Sequence, residues 1–310
     1  MKKITILLLF ILFSLLGCAN QSSQPQRLTV LVPNGMTAIA QSNIEYHQQD
    51  LYDIERVSGP QTLISSFTSE SHDIIIAPIN LGANLYQKNS NYQLAGVLTW
   101  TNFQILSKTP ITSIEDFSNQ TLIGFGQGST PEIMIRYLFN AYHLSTPAEL
   151  DFSAISVQDA LTRFMQNQYD FAIVSEPVST QALSMNNELY VYDLASDWMM
   201  YTEQEIMPQA GVFVHKDLSL SQVNAYLNHL DEASKLANSN PSLIAGLCES
   251  LEYPFSKNII EASIPNGSIL FQDHQDADIS IQSFLQLIYD FNPALIGDAL
   301  PDQGFYYPLS

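Results

Sequence analysis

Apolar and polar positions along the chain switch between two periods. Residues 27–32 form a β-branched run, Pro33-Asn34-Gly35 is a turn, and 36–44 carries apolar residues at helical spacing, so strand, turn and helix follow in that order. Residues 52–57 alternate like a strand. Two later stretches then share one pattern. The first runs Ser58-Gly59-Pro60-Gln61, an apolar helical stretch through Phe67, and Asp73-Ile74-Ile75-Ile76-Ala77-Pro78. The second runs Ser156-Val157-Gln158-Asp159, an apolar helical stretch through Met165, and Asp170-Phe171-Ala172-Ile173-Val174-Ser175-Glu176-Pro177. In each, the serine can cap a helix with a partner three residues on. Each ends in a continuous apolar strand, as in a parallel sheet covered on both faces, followed by another helical stretch, 81–86 or 178–183. Two such units predict two α/β lobes with a cleft between them.

The second unit opens with a strand at 121–125, a glycine-rich turn Gly126-Gln127-Gly128-Ser129-Thr130-Pro131 and a helix over 132–141, then a strand at 151–155. Strand–helix–strand order predicts mostly parallel sheets. Between the units, 93–106 reads as two β runs broken at 99–102, and 210–214 is a further β run. These predict two crossover strands, so the chain leaves the first lobe, builds the second and returns. Helical patterns at 219–237, 241–251 and 278–291 should pack back on the first lobe.

The ends and the charge narrow the setting. Lys2 and Lys3 precede an apolar stretch, 4–16, which is short of the ~20 residues of a spanning helix and fits a secretory signal. Leu15-Leu16-Gly17-Cys18 resembles a bacterial lipobox, which implies cleavage before Cys18 and lipidation of its thiol; an ordinary signal peptide with an incidental cysteine is the alternative. Residues 19–26 are polar and read as a tether. Removing Lys2 and Lys3 leaves nine basic residues against 31 acidic ones, a charge of −22. There is no basic patch, which argues against nucleic acid. Cys248 is then the remaining cysteine, so no internal disulfide forms, and its apolar helical setting reads as a buried small hydrophobe.

Several stretches carry a resemblance. Residues 73–86 (Asp-Ile-Ile-Ile-Ala-Pro-Ile-Asn-Leu-Gly-Ala-Asn-Leu-Tyr), 94–100 (Leu-Ala-Gly-Val-Leu-Thr-Trp), 123–137 through the glycine-rich turn, Ser175-Glu176-Pro177-Val178 and the tail 291–307 are similar to ABC-transporter substrate-binding lipoproteins. The branch is that of the nitrate, sulfonate and thiamine-pyrimidine binding proteins, and the likeness covers nearly all of the mature chain. It implies a type II periplasmic-binding-protein fold: two α/β lobes joined by a two-strand hinge and closing on a solute. It implies a division into signal peptide (1–17), lipidated Cys18 with its tether (18–26), first lobe (27–103), second lobe (104–209) and a return to the first (210–310). It also implies an exported monomer held by lipid to the outer face of the bacterial membrane, serving a permease and, through it, an ATPase, with no cofactor and no metal.

Ligands of parallel sheets bind beyond the carboxyl ends of strands. Here those places are Asn34-Gly35, Asn80-Leu81, Gln127-Gly128-Ser129-Thr130 and Glu176-Pro177, with Trp100 and Asn102 added by the hinge. Gly128-Ser129-Thr130 either offers helix N–H donors to a ligand or simply caps a helix. Asn80 either orients a polar ligand or forms a turn, Trp100 stacks on a planar ligand or fills the hinge core, and Glu176 accepts ligand N–H groups or serves the helix dipole. None of the nine basic residues falls in these turns. A pyrimidine-like or other planar nitrogenous compound therefore fits somewhat better than a sulfonate or nitrate. The rival classes are a ligand-sensing or orphan surface lipoprotein and an enzyme of pyrimidine synthesis on the same fold. The scattered histidines, the missing G-x-S-x-G elbow and the unpartnered cysteine speak against an enzyme.

Overall fold

A computed structural model describes residues 27–144, 148–203 and 206–309. The signal, lipobox and tether expectations fall outside them. One lobe is built on strands β1 (Leu28–Pro33), β2 (Tyr52–Val57), β3 (Ile74–Pro78), β4 (Tyr92–Trp100), β10 (Pro208–His215) and β11 (Ile269–Asp273), ordered β11-β4-β10-β3-β1-β2. The other holds β5 (Phe103–Ser107), β6 (Thr121–Phe125), β7 (Glu149–Ala154), β8 (Phe171–Ser175) and β9 (Tyr190–Asp193), ordered β7-β6-β8-β5-β9. Leaving out β11 and the inserted crossing strands β10 and β5, the two sheets have the same strand order, β4-β3-β1-β2 and β9-β8-β6-β7. The doubled pattern in the sequence is thus a doubled topology.

The sheets are less parallel than the strand–helix–strand pattern predicts. β1, β2 and β3 run parallel, as do β6, β7 and β8, but each sheet takes in one antiparallel strand from a crossing segment. β10 lies between β3 and β4, and β5 between β8 and β9. Phe103, assigned above to the first lobe, opens β5 of the second sheet. Pro208 and Gln209, assigned to the second lobe, already belong to β10 of the first.

The parallel strands are joined by helices whose apolar faces cover the sheets. These are α1 (Met36–His47), α2 (Pro60–Ser69) and α3 (Ile79–Tyr86) in the first lobe, and α4 (Thr130–Ala141), α5 (Val157–Met165), α6 (Val178–Met185) and α7 (Ala195–Thr202) in the second. After β10 come α8 (Leu220–Ser239), α9 (Pro241–Ser250), α10 (Lys257–Ser263) and α11 (Asp278–Phe291). α8 and α9 pack on α1, returning the chain to the first lobe. Asn240 caps α9 by accepting from the Leu243 N–H, with Pro241 in the first turn, as its sequence predicts. Ser156 likewise accepts from the Asp159 N–H at α5. The matching cap at Ser58 does not form: α2 starts after Gly59, and the Ser58 hydroxyl instead accepts from the Asn34 amide. Asp73, which precedes β3, accepts from the N–H and hydroxyl of Thr29 and so ties β3 to β1.

One hydrophobic cluster runs through both lobes, from Leu31 and Ile75 past Trp100 and Phe103 to Ile173 and Trp198. Two others cover the outer faces. Cys248 is buried in the first lobe's outer cluster. Among the described residues no helix is long and apolar enough to cross a membrane.

Candidate ligand-binding cleft

Strand direction brings the chemistry to one edge of each sheet. β1 and β3 run parallel and deliver the starts of α1 and α3; β6 and β8 deliver the starts of α4 and α6. The hinge lies at the same edges, because Pro208 pairs with Trp100, Ala210 with Pro78 and Phe103 with Ser175. The two crossing segments bind each other there. Thr101 donates from its N–H and its hydroxyl to the Met207 carbonyl, and the Met207 N–H returns a bond to the Thr101 hydroxyl. Residues 267–270 bracket the hinge: the Ser268 hydroxyl donates to the Thr101 carbonyl, the Asn102 amide to the Gly267 carbonyl and the Trp100 indole to the Leu270 carbonyl.

The lobes are shut on each other. The Asn80 side-chain amide, in the first turn of α3, donates to the Gly128 carbonyl across the cleft at 3.0 Å. A β-carbon on Gly35 would lie 4.0 Å from the Glu176 carbonyl, and one on Gly128 would lie 3.9 Å from Leu295. Trp198 of α7 meets Phe284 of α11 edge-on at 6.4 Å. Both Gly35 and Gly128 have positive φ, 116° and 74°, which suits glycine at these turns.

Buried oxygens without partners collect at this closed edge. Asn80 Oδ1, Asn102 Oδ1, Thr130 Oγ1 and Ser179 Oγ have no hydrogen-bond partner, and their residues are 1–7% exposed. An unpaired buried polar atom costs about 1–3 kcal/mol, and these four belong to the hinge and to the turns that follow β3, β6 and β8. Glu176 lies beside them, 4% exposed, accepting from the Thr180 N–H. Burial holds its carboxyl above the ordinary value, against the pull of the Thr180 bonds.

No family model and no curated protein sequence matches the chain. Solved structures do. An ABC transporter structure from Parabacteroides distasonis superposes with a TM-score of 0.79 at 22% identity, covering 92% of this chain and 99% of that one. The alkanesulfonate-binding protein SsuA from Xanthomonas axonopodis pv. citri, bound to MOPS, gives 0.66 at 16% identity, covering 87% and 94%. The CA3427 gene product of Candida albicans, described as having the generic periplasmic binding protein fold, gives 0.56 at 15% identity, covering 90% and 92%. The chain has the periplasmic-binding-protein fold.

Within that fold the expected residues divide into three groups. Asn80, Asn102, Thr130 and Glu176 are buried at the hinge and at the strand ends of the closed edge, with Gly35, Gly128 and Pro177 in the turns there. A second group is held by local structure. Asn34 is exposed and bonded to Ser58, and Gln127 is exposed. The Ser129 hydroxyl donates to the Gly126 carbonyl, and Leu81 packs on the core. Trp100 forms the third: its indole N–H is committed to Leu270 and its ring is buried in the shared core, so the hinge-core reading fits it better than stacking.

Ser179 is the residue that sequence reasoning missed. Aligning the two repeats by their strands sets Asn80 opposite Pro177. Aligning them by their helices sets Asn80 opposite Ser179, each at the second position after its cap (Pro78 or Pro177). Helix register was the signal that would have found it.

Proposed function

We propose that the protein is an extracytoplasmic solute-binding protein that closes its two lobes on a small molecule and delivers it to the permease of an ABC importer. The unpartnered oxygens of Asn80, Asn102, Thr130 and Ser179 between shut lobes carry this reading. A fold shared with an ABC transporter structure and an alkanesulfonate-binding protein supports it. The site groups bind and orient; the acid/base pair or nucleophile–base pair that a reaction would need is absent from the cleft-edge residues named above. The lipobox resemblance at Cys18 supports a lipid anchor on the outer face of the membrane, with residues 19–26 as tether.

Native mass spectrometry of the protein purified from its own membranes tests both parts. A bound small molecule released on unfolding, and a Cys18 peptide carrying the mass of a lipid, are the expected results. A protein that releases nothing, and whose melting temperature no candidate solute raises, is not a solute-binding protein.

A further inference from the structure

The cleft is equipped from both lobes and the hinge to accept hydrogen bonds, and this bears on what fills it. Asn80 and Asn102 have fixed orientations, because their amide nitrogens donate to the carbonyls of Gly128 and Gly267. Their free oxygens can therefore only accept. Glu176 adds a carboxylate. Thr130 and Ser179 add hydroxyls able to accept or donate.

Three of the backbone donors an anion could use on the second-lobe wall are already engaged. Glu132 turns back over the start of α4 and accepts from the Gly128 N–H at 2.7 Å, while its other oxygen binds Arg136 at 2.6 Å. The Ser129 N–H is held by the Gly126 carbonyl. At α6 the Thr180 N–H is held by Glu176 at 3.2 Å. Each of these two helices thus holds a carboxylate of its own chain at its positive end, where a sulfonate or nitrate would sit. The three basic residues of the second lobe offer no replacement. Arg136 pairs with Glu132, Arg163 with Asp159, and Lys108 donates to the Tyr169 carbonyl.

We infer that the cleft selects a small polar solute bearing N–H donors, such as an amine, amide or amino-heterocycle, whose donors are read by Glu176, Asn80 and Asn102, with Ser179 as a fourth contact, and that it rejects anions lacking such a group. The inference rests on the solute-binding reading above. It converts the glycine-rich turn of residues 126–130 from an anion cradle into a self-capped helix start that contributes a carbonyl and the Thr130 hydroxyl.

Matched pairs test it on the full-length protein: taurine against ethanesulfonate, and 2-aminopyrimidine against pyrimidine, followed by calorimetry and thermal shift, alongside the accurate mass of the co-purified solute. A released solute that carries N–H groups, or a pair member with its amine binding about tenfold or more tightly than its partner, is the expected result. Glu176→Gln and Ser179→Ala should each weaken that binding while the ligand-free melting transition persists. Ethanesulfonate binding as well as taurine does, or a co-purified anion without N–H groups, overturns the inference and leaves the solute-binding reading standing. Unchanged affinity in both variants also overturns it. No released solute and no shift with any of the four compounds sinks both.

Discussion

Asn80 and Gly128 lie 48 residues apart, one on each lobe, and the Asn80 amide donates to the Gly128 carbonyl at 3.0 Å. That bond fixes which way the Asn80 side chain faces and holds the lobes together at the proposed ligand site. Asn80→Ala removes both the interlobe bond and the acceptor oxygen. At about 1 kcal/mol for each hydrogen bond, affinity for the co-purified solute should fall about tenfold to a hundredfold in calorimetry. Small-angle scattering should show a more open mean shape. An unchanged affinity would remove Asn80 from the site.

Glu176 sets a pH dependence of known sign. Burial raises its carboxyl above the ordinary 4.5, so the folded chain holds this proton more tightly than the unfolded one. The group's contribution to stability is therefore complete below the unfolded value and declines as pH rises through the folded one. In the ligand-free protein Glu176→Gln should raise the melting temperature at neutral pH and lose that advantage in acid. The difference between variant and parent is the quantity to follow, because Glu45 is raised by burial as well.

Trp100→Phe separates hinge from site. It removes the indole N–H from the partly buried Leu270 carbonyl, a loss of about 1 kcal/mol, and shrinks a ring buried in the shared core. Thermal denaturation should show a lowered transition, while solute affinity changes less than in Asn80→Ala. The reverse pattern would mean that the ring touches ligand.

Gly82→Ala tests packing behind the site. A β-carbon there would lie 2.0 Å from the ring of Phe213, which is buried in β10. The overlap forces α3 off the sheet or the ring out of its place, a cost of about 1–3 kcal/mol or more. The yield of folded protein and its melting temperature should both fall.

The thiol of Cys248 should be inert. Burial pushes it up to about 12, and the thiolate is the reactive form. Peptide mapping after treatment with iodoacetamide should find Cys248 unmodified in folded protein and modified only in denaturant.

The repeat, the crossings and the cleft edge were legible because they rest on local periodicity. A continuous apolar strand after a capped helix writes itself into sequence, and so do Asn240-Pro241 and Ser156. What escaped rests on tertiary geometry. β9, β11 and α7 are short elements whose place is set by neighbouring strands and core, and their own patterns are weak. Which oxygen remains unpaired cannot be read from residue type: Ser129 and Ser179 are both serines near a helix start, yet one is bound by its own turn and the other is left unpartnered. Glu132 reads as an ordinary first-turn acid; that it occupies the Gly128 N–H depends on how the chain folds back at that turn.

The insertion of β10 between β3 and β4 also fixes an order of assembly. The second sheet draws all its strands from one uninterrupted stretch, residues 103–193, while the first lacks an inner strand until residues 208–215 exist. As the chain is made from its N-terminus, β3 and β4 wait with unpaired edges while the later lobe can already close its own sheet. The half of the molecule that begins first is the half that finishes last, and a nascent chain stopped between α7 and β10 would carry one complete sheet beside an open, adhesive one.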